Sequence, residues 1–483
     1  MPHELRAQLE RLEELFTVPT DLLKRITAHF QSELTKGLSV EGGSIPMVPS
    51  WCMSFPTGHE TGVFLAIDMG GTNLRVCEIT LPEAKGEFEI VQSKYRMPEE
   101  LKTGTGEELW AYIGDCLKSF IEEQHPGEML EKLPLGFTFS YPATQEYINH
   151  GVLQRWTKGF DIKGVEGTDV IPPFEAALEE RGLPIKPTAL INDTVGTLIA
   201  SAYTNDQVRI GCIFGTGCNA AYMERCGSIP KLAHLNLDPD LPMAINCEWG
   251  AFDNERVILP RTPYDVIIDK DSPRPGQQTF EKMVAGLYLG ELFRLVLLDL
   301  HENPDAELFK GQDVGRLRKA YSLDSSVISA IEEDTTDDLA EVAAFFTTTL
   351  NLTASPAELE LARRLAELIS TRSARLSACG VAAICNKMEW KTCAVGADGS
   401  LFGMHPYFRT RLAQALREIF GWGVGDVPDP VMVRAAEDGS GVGAALIAAL
   451  TLKRVEEGIT VGVRNPESIY RGTKDEERDE RVE

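Results

Sequence analysis

The most chemically suggestive residues of the sequence are an amide and an acid placed at the end of an apolar segment. Residues 190–194 read LINDT, so Asn192 and Asp193 follow a strand-like run. A carboxylate in this position can accept a proton from a substrate hydroxyl while the neighbouring amide orients the same substrate. Alternatively, Asp193 caps the helix that the following residues, TVGTLIASAY, predict. Both interpretations stay open on the sequence alone.

Two glycine-threonine turns form a second group of interest. Residues 65–76 read LAIDMGGTNLRV and residues 213–217 read IFGTG, so each turn follows an apolar strand-like run. Glycines leave backbone N–H groups open to phosphate oxygens, and Asp68 can hold a magnesium ion through water. The first turn matches neither of the common nucleotide-binding loop motifs, so a plain hairpin turn is the alternative. Two such turns acting on one polyphosphate are a better hypothesis than either turn alone.

A third glycine-rich segment, EDGSGVG at 437–443, precedes the apolar run ALIAALTLKR and echoes ADGS at 397–400. Its N–H groups are expected at the start of a helix, where anions are favoured, although close packing of that helix over glycine explains the pattern equally well. Polar groups also occur in the segments WTKGF (156–160), INCEWG (245–250) and FEKM (280–283). A polar residue in such a segment is more often a surface or capping residue. Asn, Asp, Glu, Thr and Lys together, however, are the groups that hydrogen-bond a polyhydroxylated ligand.

The elements that must position these residues are strands followed by helices. Leucines recur at helical spacing before residue 40, which predicts two amphipathic helices ahead of the first strand. Strand-like runs begin near Gly62, a helix is predicted over 108–123, and a second series of strands follows. The C-terminal half is mostly helical, over 280–300, 358–385 and 405–420, and residues 322–340 are expected to form an exposed loop.

Length and composition limit the possible classes of protein. A chain of 483 residues is expected to fold as two or three structural units. The formal net charge of -26 argues against a nucleic-acid partner. We also expect no membrane span, because no apolar run approaches about 18 residues. The polar N-terminus and ten cysteines without a C-x-x-C pair predict a cytoplasmic protein with free thiols.

The sequence closely resembles the eukaryotic hexokinases, especially the fungal ones, from about residue 53 to 458. Eight motifs occur in the family's order, namely FLAIDMGGTNLRV, LGFTFSYPATQ, LQRWTKGFDI, LINDTVGT, IFGTGCNAAY, INCEWGAFDNE, PGQQTFEKM and AAEDGSGVGAA. The resemblance implies an α/β, ribonuclease-H-like (actin-like ATPase) fold, with two α/β subdomains flanking a deep cleft and with N-terminal helices. It also implies transfer of the γ-phosphate of MgATP to the 6-hydroxyl of glucose, fructose or mannose, the first step of glycolysis.

The resemblance also implies a division of the chain. We expect an N-terminal helical arm over 1–60 that packs on the large subdomain, a small subdomain over 61–191 and a large subdomain over 192–458. A helix over 443–457 is expected to return to the small subdomain, and residues 459–483 to form a partly disordered tail. The implied ligands are the hexose, ATP and Mg²⁺, and the implied assembly is a monomer or a homodimer.

Carried over residue by residue, the resemblance implies three groups of site residues. The catalytic residues are Asp193 as general base, Lys158 and Arg75. The hexose is expected to contact Ser140, Thr157, Lys158, Asn192, Asp193, Asn219, Glu248 and Glu281. The nucleotide is expected to contact Asp68, Gly70, Gly71, Thr72, Asn73, Arg75, Gly215, Thr216, Gly439, Ser440 and Gly441, with Asp68 holding magnesium through water and 439–441 on the adenosine side.

Two alternatives remain within this resemblance. GTGCNAAYME and INCEWG look partly like glucokinases, so a glucose-selective enzyme is possible on the sequence. A catalytically silent sugar sensor on the same fold is the second alternative. A silent relative would most simply have lost a catalytic position, whereas Asp68, Lys158 and Asp193 are all present.

Overall fold

A computed structural model describes residues 2–127, 133–157, 159–306, 308–423, 428–436 and 438–470. The fold is mixed α/β and begins with two helices, as the sequence predicts. The strands are β1 (Val48–Pro49), β2 (Gly62–Met69), β3 (Asn73–Leu81), β4 (Glu89–Arg96), β5 (Leu133–Phe139), β6 (Ala143–Thr144), β7 (Val152–Leu153), β8 (Ile185–Ile191), β9 (Val208–Phe214), β10 (Cys218–Arg225), β11 (Pro242–Asn246), β12 (Cys393–Asp398) and β13 (Val431–Ala435).

Helices account for most of the remaining described chain. The α-helices are α1 (His3–Phe16), α2 (Thr20–Ser39), α3 (Gly106–Gln124), α4 (Ile171–Glu180), α5 (Asp193–Thr204), α6 (Pro263–Asp271), α7 (Thr279–Val284), α8 (Gly286–Glu302), α9 (Ser325–Glu333), α10 (Ala340–Phe345), α11 (Pro356–Lys387), α12 (Ser400–Met404), α13 (Phe408–Phe420), α14 (Gly441–Glu456) and α15 (Pro466–Tyr470).

The chain divides into two compact units, each built from several segments. The first unit comprises Met1–Met47, Ile213–Asn219 and Cys247–Ala435. The second unit comprises Val48–Cys212, Ala220–Asn246 and Ala436–Glu483. The boundaries expected from the resemblance stay a prediction.

The first unit is largely helical and is organised around the long helix α11, which packs against α1, α2, α8, α9 and α13. Ser355 caps this helix in a reciprocal capping box with Glu358, and proline occupies its first position, a strong start signal. Phe30 of α2 lies in an aromatic cluster, with ring centroids 4.0 Å from Phe252 and 5.3 Å from Phe280. Helix α2 therefore supports the loop before Phe252 and the start of α7, which both carry predicted site residues. The parallel pair β12–β13 completes this unit.

The second unit contains a five-stranded sheet in the order β4-β3-β2-β5-β8. Strands β2 and β3 form the antiparallel hairpin that the sequence predicts around the first glycine turn, and β5 and β8 run parallel to β2. The core on this sheet joins Leu65 and Ile67 to Trp110 of α3 and Phe174 of α4. Strands β1, β11, β10 and β9 form a second ladder, and β6 pairs with β7 in a two-stranded sheet.

Helix α14 packs on the sheet and on α5 within the second unit. Gly136 of β5 permits this approach, because a Cβ there would lie 2.2 Å from the carbonyl oxygen of Ala444. The segment after the helix is also attached, since Arg464 pairs with Asp169 at 2.5 Å and its backbone N–H donates to Asn149. The part of the expected tail over 471–483 lies outside the described residues.

The expected loop over 322–340 is wrong in part. Helix α9 begins after Asp324, whose side chain accepts a hydrogen bond from the backbone of Ser326. Ile328 and Ile331 are buried, so the spacing of two apolar residues within a polar segment decides the local structure. All ten cysteines belong to the described chain, and each is a buried thiol outside any disulfide.

Candidate active site

The edge of the sheet where β2, β5 and β8 end gathers three of the predicted site segments. These strands are parallel neighbours, and Met69 is in register with Phe139, while Thr138 is in register with Ile191. Carboxyl ends of adjacent parallel strands lie at one edge of a sheet and commonly form a ligand site there. The glycine turn after β2, Ser140 after β5 and Asn192-Asp193 after β8 therefore meet at one edge.

Asn192 is the cap of helix α5, and Asp193 is the first residue of the helix. The Asn192 side chain accepts hydrogen bonds from the backbone N–H of Thr194 at 3.0 Å and from its hydroxyl at 2.6 Å. The capping alternative for Asp193 is therefore wrong. Asp193 is half-buried and lies in the first turn of the helix.

The turn between β2 and β3 has the tight geometry that its glycines predict. The backbone N–H of Gly70 donates to the carbonyl of Asn73 at 3.1 Å, and the Tyr141 hydroxyl donates to the carbonyl of Gly70 at 3.3 Å. Gly71 is half-buried, while Thr72 and Asn73 are exposed. Burial, with the nearby charge of Asp68, raises the pKa of Tyr141, so this side chain stays a neutral donor.

Asp68, Arg75, Asp438 and Ser440 form what we call the arginine cluster. Asp68 and Arg75 are register partners on β2 and β3. The Ser440 hydroxyl donates to Asp68 Oδ2 at 2.7 Å and accepts from Arg75 Nη2 at 2.8 Å. Sequence reasoning missed Asp438, which accepts two hydrogen bonds from Arg75. The structure thus places three predicted nucleotide residues in contact with a residue that the sequence analysis did not assign, Asp438.

The starts of α5 and α14 lie against each other through glycines. A Cβ on Gly439 would lie 2.4 Å from Thr197 Oγ1, and a Cβ on Gly443 would lie 2.2 Å from the carbonyl oxygen of Gly196. The N–H of Gly441 donates to Asp438 Oδ1 at 3.2 Å. The structure thus confirms the close packing over glycine, while anion binding at this helix start stays a prediction.

Thr157 lies in a loop that aromatic residues anchor. Trp156 is buried, and its indole N–H donates to the carbonyl of Ile162 at 3.0 Å. The ring of Phe160 stacks on Trp156 with centroids 5.6 Å apart. Thr157 is half-buried between these anchors. Lys158 lies outside the described residues.

The first unit groups Asn219, Glu248 and Glu281, which we call the amide–carboxylate cluster. Asn219 Nδ2 donates to Glu248 Oε1 at 3.1 Å, and the backbone N–H of Glu248 donates back to Asn219 Oδ1 at 2.9 Å. Glu281 Oε2 accepts the N–H of Cys218 at 3.0 Å. Glu248 has a φ of 56°, a left-handed conformation that is uncommon outside glycine and is frequent at functional sites.

The second glycine-threonine turn is tied to the start of α8. Its Gly215 carbonyl accepts the N–H of Gly286 at 2.8 Å, and Thr216 is exposed. Gly399 and Ser400 lie against the same turn, because a Cβ on Gly215 would lie 3.2 Å from Gly399 Cα and 3.3 Å from Ser400 N. Sequence reasoning did not assign these two residues to the site, although the echo of ADGS in EDGS was the available signal.

The chain is similar to known proteins over nearly its whole length. Two family models, both described as hexokinase, match residues 8–203 and 209–450. The chain is 65% identical over 469 residues to a hexokinase of Emericella nidulans, covering 97% of this chain and 96% of the relative. It is 51% identical over 468 residues to hexokinase-2 of Saccharomyces cerevisiae, covering 96% of both.

A solved hexokinase structure also matches this chain. The hexokinase from Schistosoma mansoni, complexed with glucose, superposes with a TM-score of 0.82 at 35% identity, covering 92% of this chain and 99% of that chain. The mixed α/β fold with two sheet-containing parts and N-terminal helices is therefore the fold that the resemblance implied.

Proposed function

The chain belongs to the hexokinase family, and on that premise we propose that the residues grouped above carry the transfer of a phosphoryl group from ATP to the 6-hydroxyl of a hexose. The enzyme is a hexose kinase, and the family acts at the first step of glycolysis. Glucose, fructose and mannose are the proposed acceptors.

The observation that carries the assignment of residues is the amide–carboxylate cluster. Asn219 and Glu248 are held by reciprocal hydrogen bonds, and Glu281 is fixed by the backbone N–H of Cys218, the residue before Asn219. Fixed amide and carboxylate groups are the ones that bind sugar hydroxyls without reorganisation. We assign this cluster to the hexose, and in the second unit we add Ser140, Thr157, Lys158 and Asn192.

Asp193 is the proposed general base. The reaction forms a bond between the sugar oxygen and the γ-phosphorus and breaks the bond to the β-γ bridging oxygen, while the hydroxyl proton passes to the Asp193 carboxylate. Because the transition state is loose, correct positioning contributes more than covalent chemistry. The cap on Asn192 fixes the helix start, and so fixes the direction from which Asp193 approaches the hydroxyl.

The two glycine-threonine turns are the proposed phosphate elements. In the second unit these are Gly70, Gly71, Thr72, Asn73 and Arg75, and in the first unit Gly215 and Thr216. Gly439, Ser440 and Gly441 stay proposed nucleotide residues. Ser440 is engaged with Asp68 and Arg75, which supports a role beside the phosphates as well as the adenosine-side role expected from the sequence.

Magnesium fits this arrangement as a part of the nucleotide substrate. Over the described ranges, no group of three or more acids, histidines or cysteines could hold a metal by itself. Mg²⁺ typically keeps several waters and binds through one or two carboxylates and the substrate phosphates. Asp68, fixed by Ser440, is therefore the residue we propose to hold it through water, where the ion neutralises charge on the phosphates.

The test is a coupled ADP-release assay with glucose, fructose and mannose on the wild type and on Asp193→Ala. Loss of a general base lowers turnover by about 10²–10⁴-fold. The matched control is Asp21→Asn, which alters an exposed acid in the first turn of α2 and is expected to retain wild-type turnover. Near-normal turnover of Asp193→Ala would show that another group takes the proton.

A further inference from the structure

We propose that Asp438 is a positioning residue for Arg75, holding its guanidinium beside Asp68 while the nucleotide binds. The proposal rests on the proposed role of Arg75 in phosphate binding. The two residues are 363 positions apart in the chain and meet only through the fold.

The contact between them is a bidentate ion pair. Arg75 Nη1 donates to Asp438 Oδ2 at 2.9 Å, and Nη2 donates to Oδ1 at 2.5 Å. Both side chains are mostly buried, with 17% and 21% of their areas exposed. Paired N–H donors on one carboxylate fix the plane of a guanidinium as well as its place, which a single hydrogen bond cannot do.

The carboxylate of Asp438 is itself held in place. Its backbone adopts a φ of 40° three residues before α14 begins, and its Oδ1 accepts the N–H of Gly441 at 3.2 Å. On the other side, the backbone of Arg75 is fixed in β3 opposite Asp68. The pair therefore connects the start of a helix to the strand that follows the first phosphate turn.

Two neutral groups share the arginine with Asp438. Gln92 Oε1 accepts from Nη1 at 3.3 Å, and Ser440 Oγ accepts from Nη2 at 2.8 Å. Each Nη group can donate twice, so both are already engaged. An incoming phosphate oxygen that binds at either Nη group must displace an acceptor there. Asp438 pairs opposite charges through two parallel bonds, whereas Gln92 and Ser440 each accept one bond with an uncharged oxygen. The neutral partners therefore leave first, and Asp438 stays.

The charge of Arg75 is also maintained. Burial lowers its pKa, but the hydrogen bonds that it donates to Asp438, together with the nearby negative charges, outweigh burial, so the net pKa is raised. The guanidinium thus stays fully charged at every working pH, and Asp438 controls where that charge lies.

The experiment measures steady-state kinetics of the full-length Asp438→Asn enzyme with ATP and glucose varied separately. Asparagine keeps the size and the capping ability of the side chain but removes its charge and one acceptor. Because misplacement by about 1 Å can cost about 10²-fold, we expect kcat/KM for ATP to fall by about 10- to 100-fold. KM for glucose should stay within about twofold, and Asp438→Glu should recover part of the loss.

A double-mutant cycle separates positioning from simple structural damage. Arg75→Met alone should reduce kcat/KM for ATP, and adding Asp438→Asn to it should cause no further loss. The matched control is Asp115→Asn, which breaks another Asp–Arg pair of the same unit, between Asp115 and Arg181 at 2.6 Å, and should leave the kinetics unchanged.

Three results would overturn parts of the account in distinguishable ways. Wild-type kinetics of Asp438→Asn beside an impaired Arg75→Met, or additive losses in the double variant, would overturn the positioning role. Wild-type kinetics of Arg75→Met would overturn the phosphate role of the arginine itself. If Asp438→Asn does not fold, Asp438→Ser keeps the cap without the charge and answers the same question.

Discussion

Gly443→Ala tests whether the contact between α5 and α14 positions the catalytic helix start. A Cβ at position 443 would lie 2.2 Å from the carbonyl oxygen of Gly196 and 2.5 Å from its Cα. Ordinary contact begins near 3.4 Å, so one helix start must move by about 1.2 Å, the difference between the two distances. The neighbouring atoms are backbone, which cannot rotate away.

Two opposing effects set the magnitude. Alanine is favoured over glycine within a helix by about 0.5–1 kcal/mol. Inserting a methyl group into a packed contact costs about 1–3 kcal/mol, and more where backbone must move. The clash therefore wins, and we expect the free energy of unfolding to fall by about 1–2 kcal/mol. Because Asp193 begins the displaced helix, kcat should also fall, by up to about 10²-fold.

The assay combines urea unfolding with coupled ADP release. The matched control is Gly423→Ala, because no atom lies within 4 Å of a Cβ at this exposed position. The control should keep wild-type stability and turnover. If Gly443→Ala behaves like Gly423→Ala in both measurements, the contact does not position Asp193 and the reasoning is refuted.

Three further predictions concern single residues. Arg372→Met should lower the free energy of unfolding by about 3–5 kcal/mol in urea, because it leaves the buried Asp265 carboxylate, 2.7 Å from the guanidinium, unpaired. The hydrogen bond from Arg375 lowers the pKa of Glu418 from 4.5 to about 2, so its stabilisation is complete above about pH 4.5 and is lost as the pH falls toward 2. Between pH 5 and pH 3, the free energy of unfolding should therefore fall more for the wild type than for Glu418→Gln. Glu248→Gln should raise KM for glucose by about 10-fold or more with KM for ATP unchanged, since a hydrogen bond to a charged group contributes about 1.5–3 kcal/mol.

Controls decide these predictions. Arg11→Met breaks an ion pair with Asp299 whose side chains are 41% and 46% exposed, and should cost less than about 1 kcal/mol. An equal cost for Arg372→Met would contradict the burial argument. If the free energy of unfolding changes equally with pH in the wild type and in Glu418→Gln, the titration of Glu418 does not contribute to stability. A change of KM for ATP alone in Glu248→Gln would place that residue on the nucleotide.

Local pattern was enough to predict the elements that carry the site. The hairpin around Gly70, the two N-terminal helices and the helix after EDGSGVG all follow from apolar periodicity and glycine punctuation, which act over a few residues. Asn192 as the cap was harder to predict, because Asp193 is an equally good capping residue by type. Only the backbone conformation at 192 distinguishes the two.

Long-range partners could not be predicted. Asp438 contacts Arg75 because α14 packs on the sheet. The two residues are 363 positions apart, and neither local segment indicates the other as a partner. Gly399 meets Gly215 for the same reason, across a separation that no periodicity describes. The left-handed conformation of Glu248 was also hidden, since the segment INCEWG has its glycine at another position.

Measuring the chemical step of Asp193→Asn shows whether Asp193 takes the proton from the hexose hydroxyl. A rapid-quench experiment with enzyme in excess, after ATP and glucose affinities have been measured by calorimetry, isolates phosphoryl transfer from binding and release. We expect affinities within a few-fold of the wild type and a single-turnover rate lower by about 10²–10⁴-fold. A wild-type rate of glucose 6-phosphate formation in this variant would contradict the claim that Asp193 takes the proton.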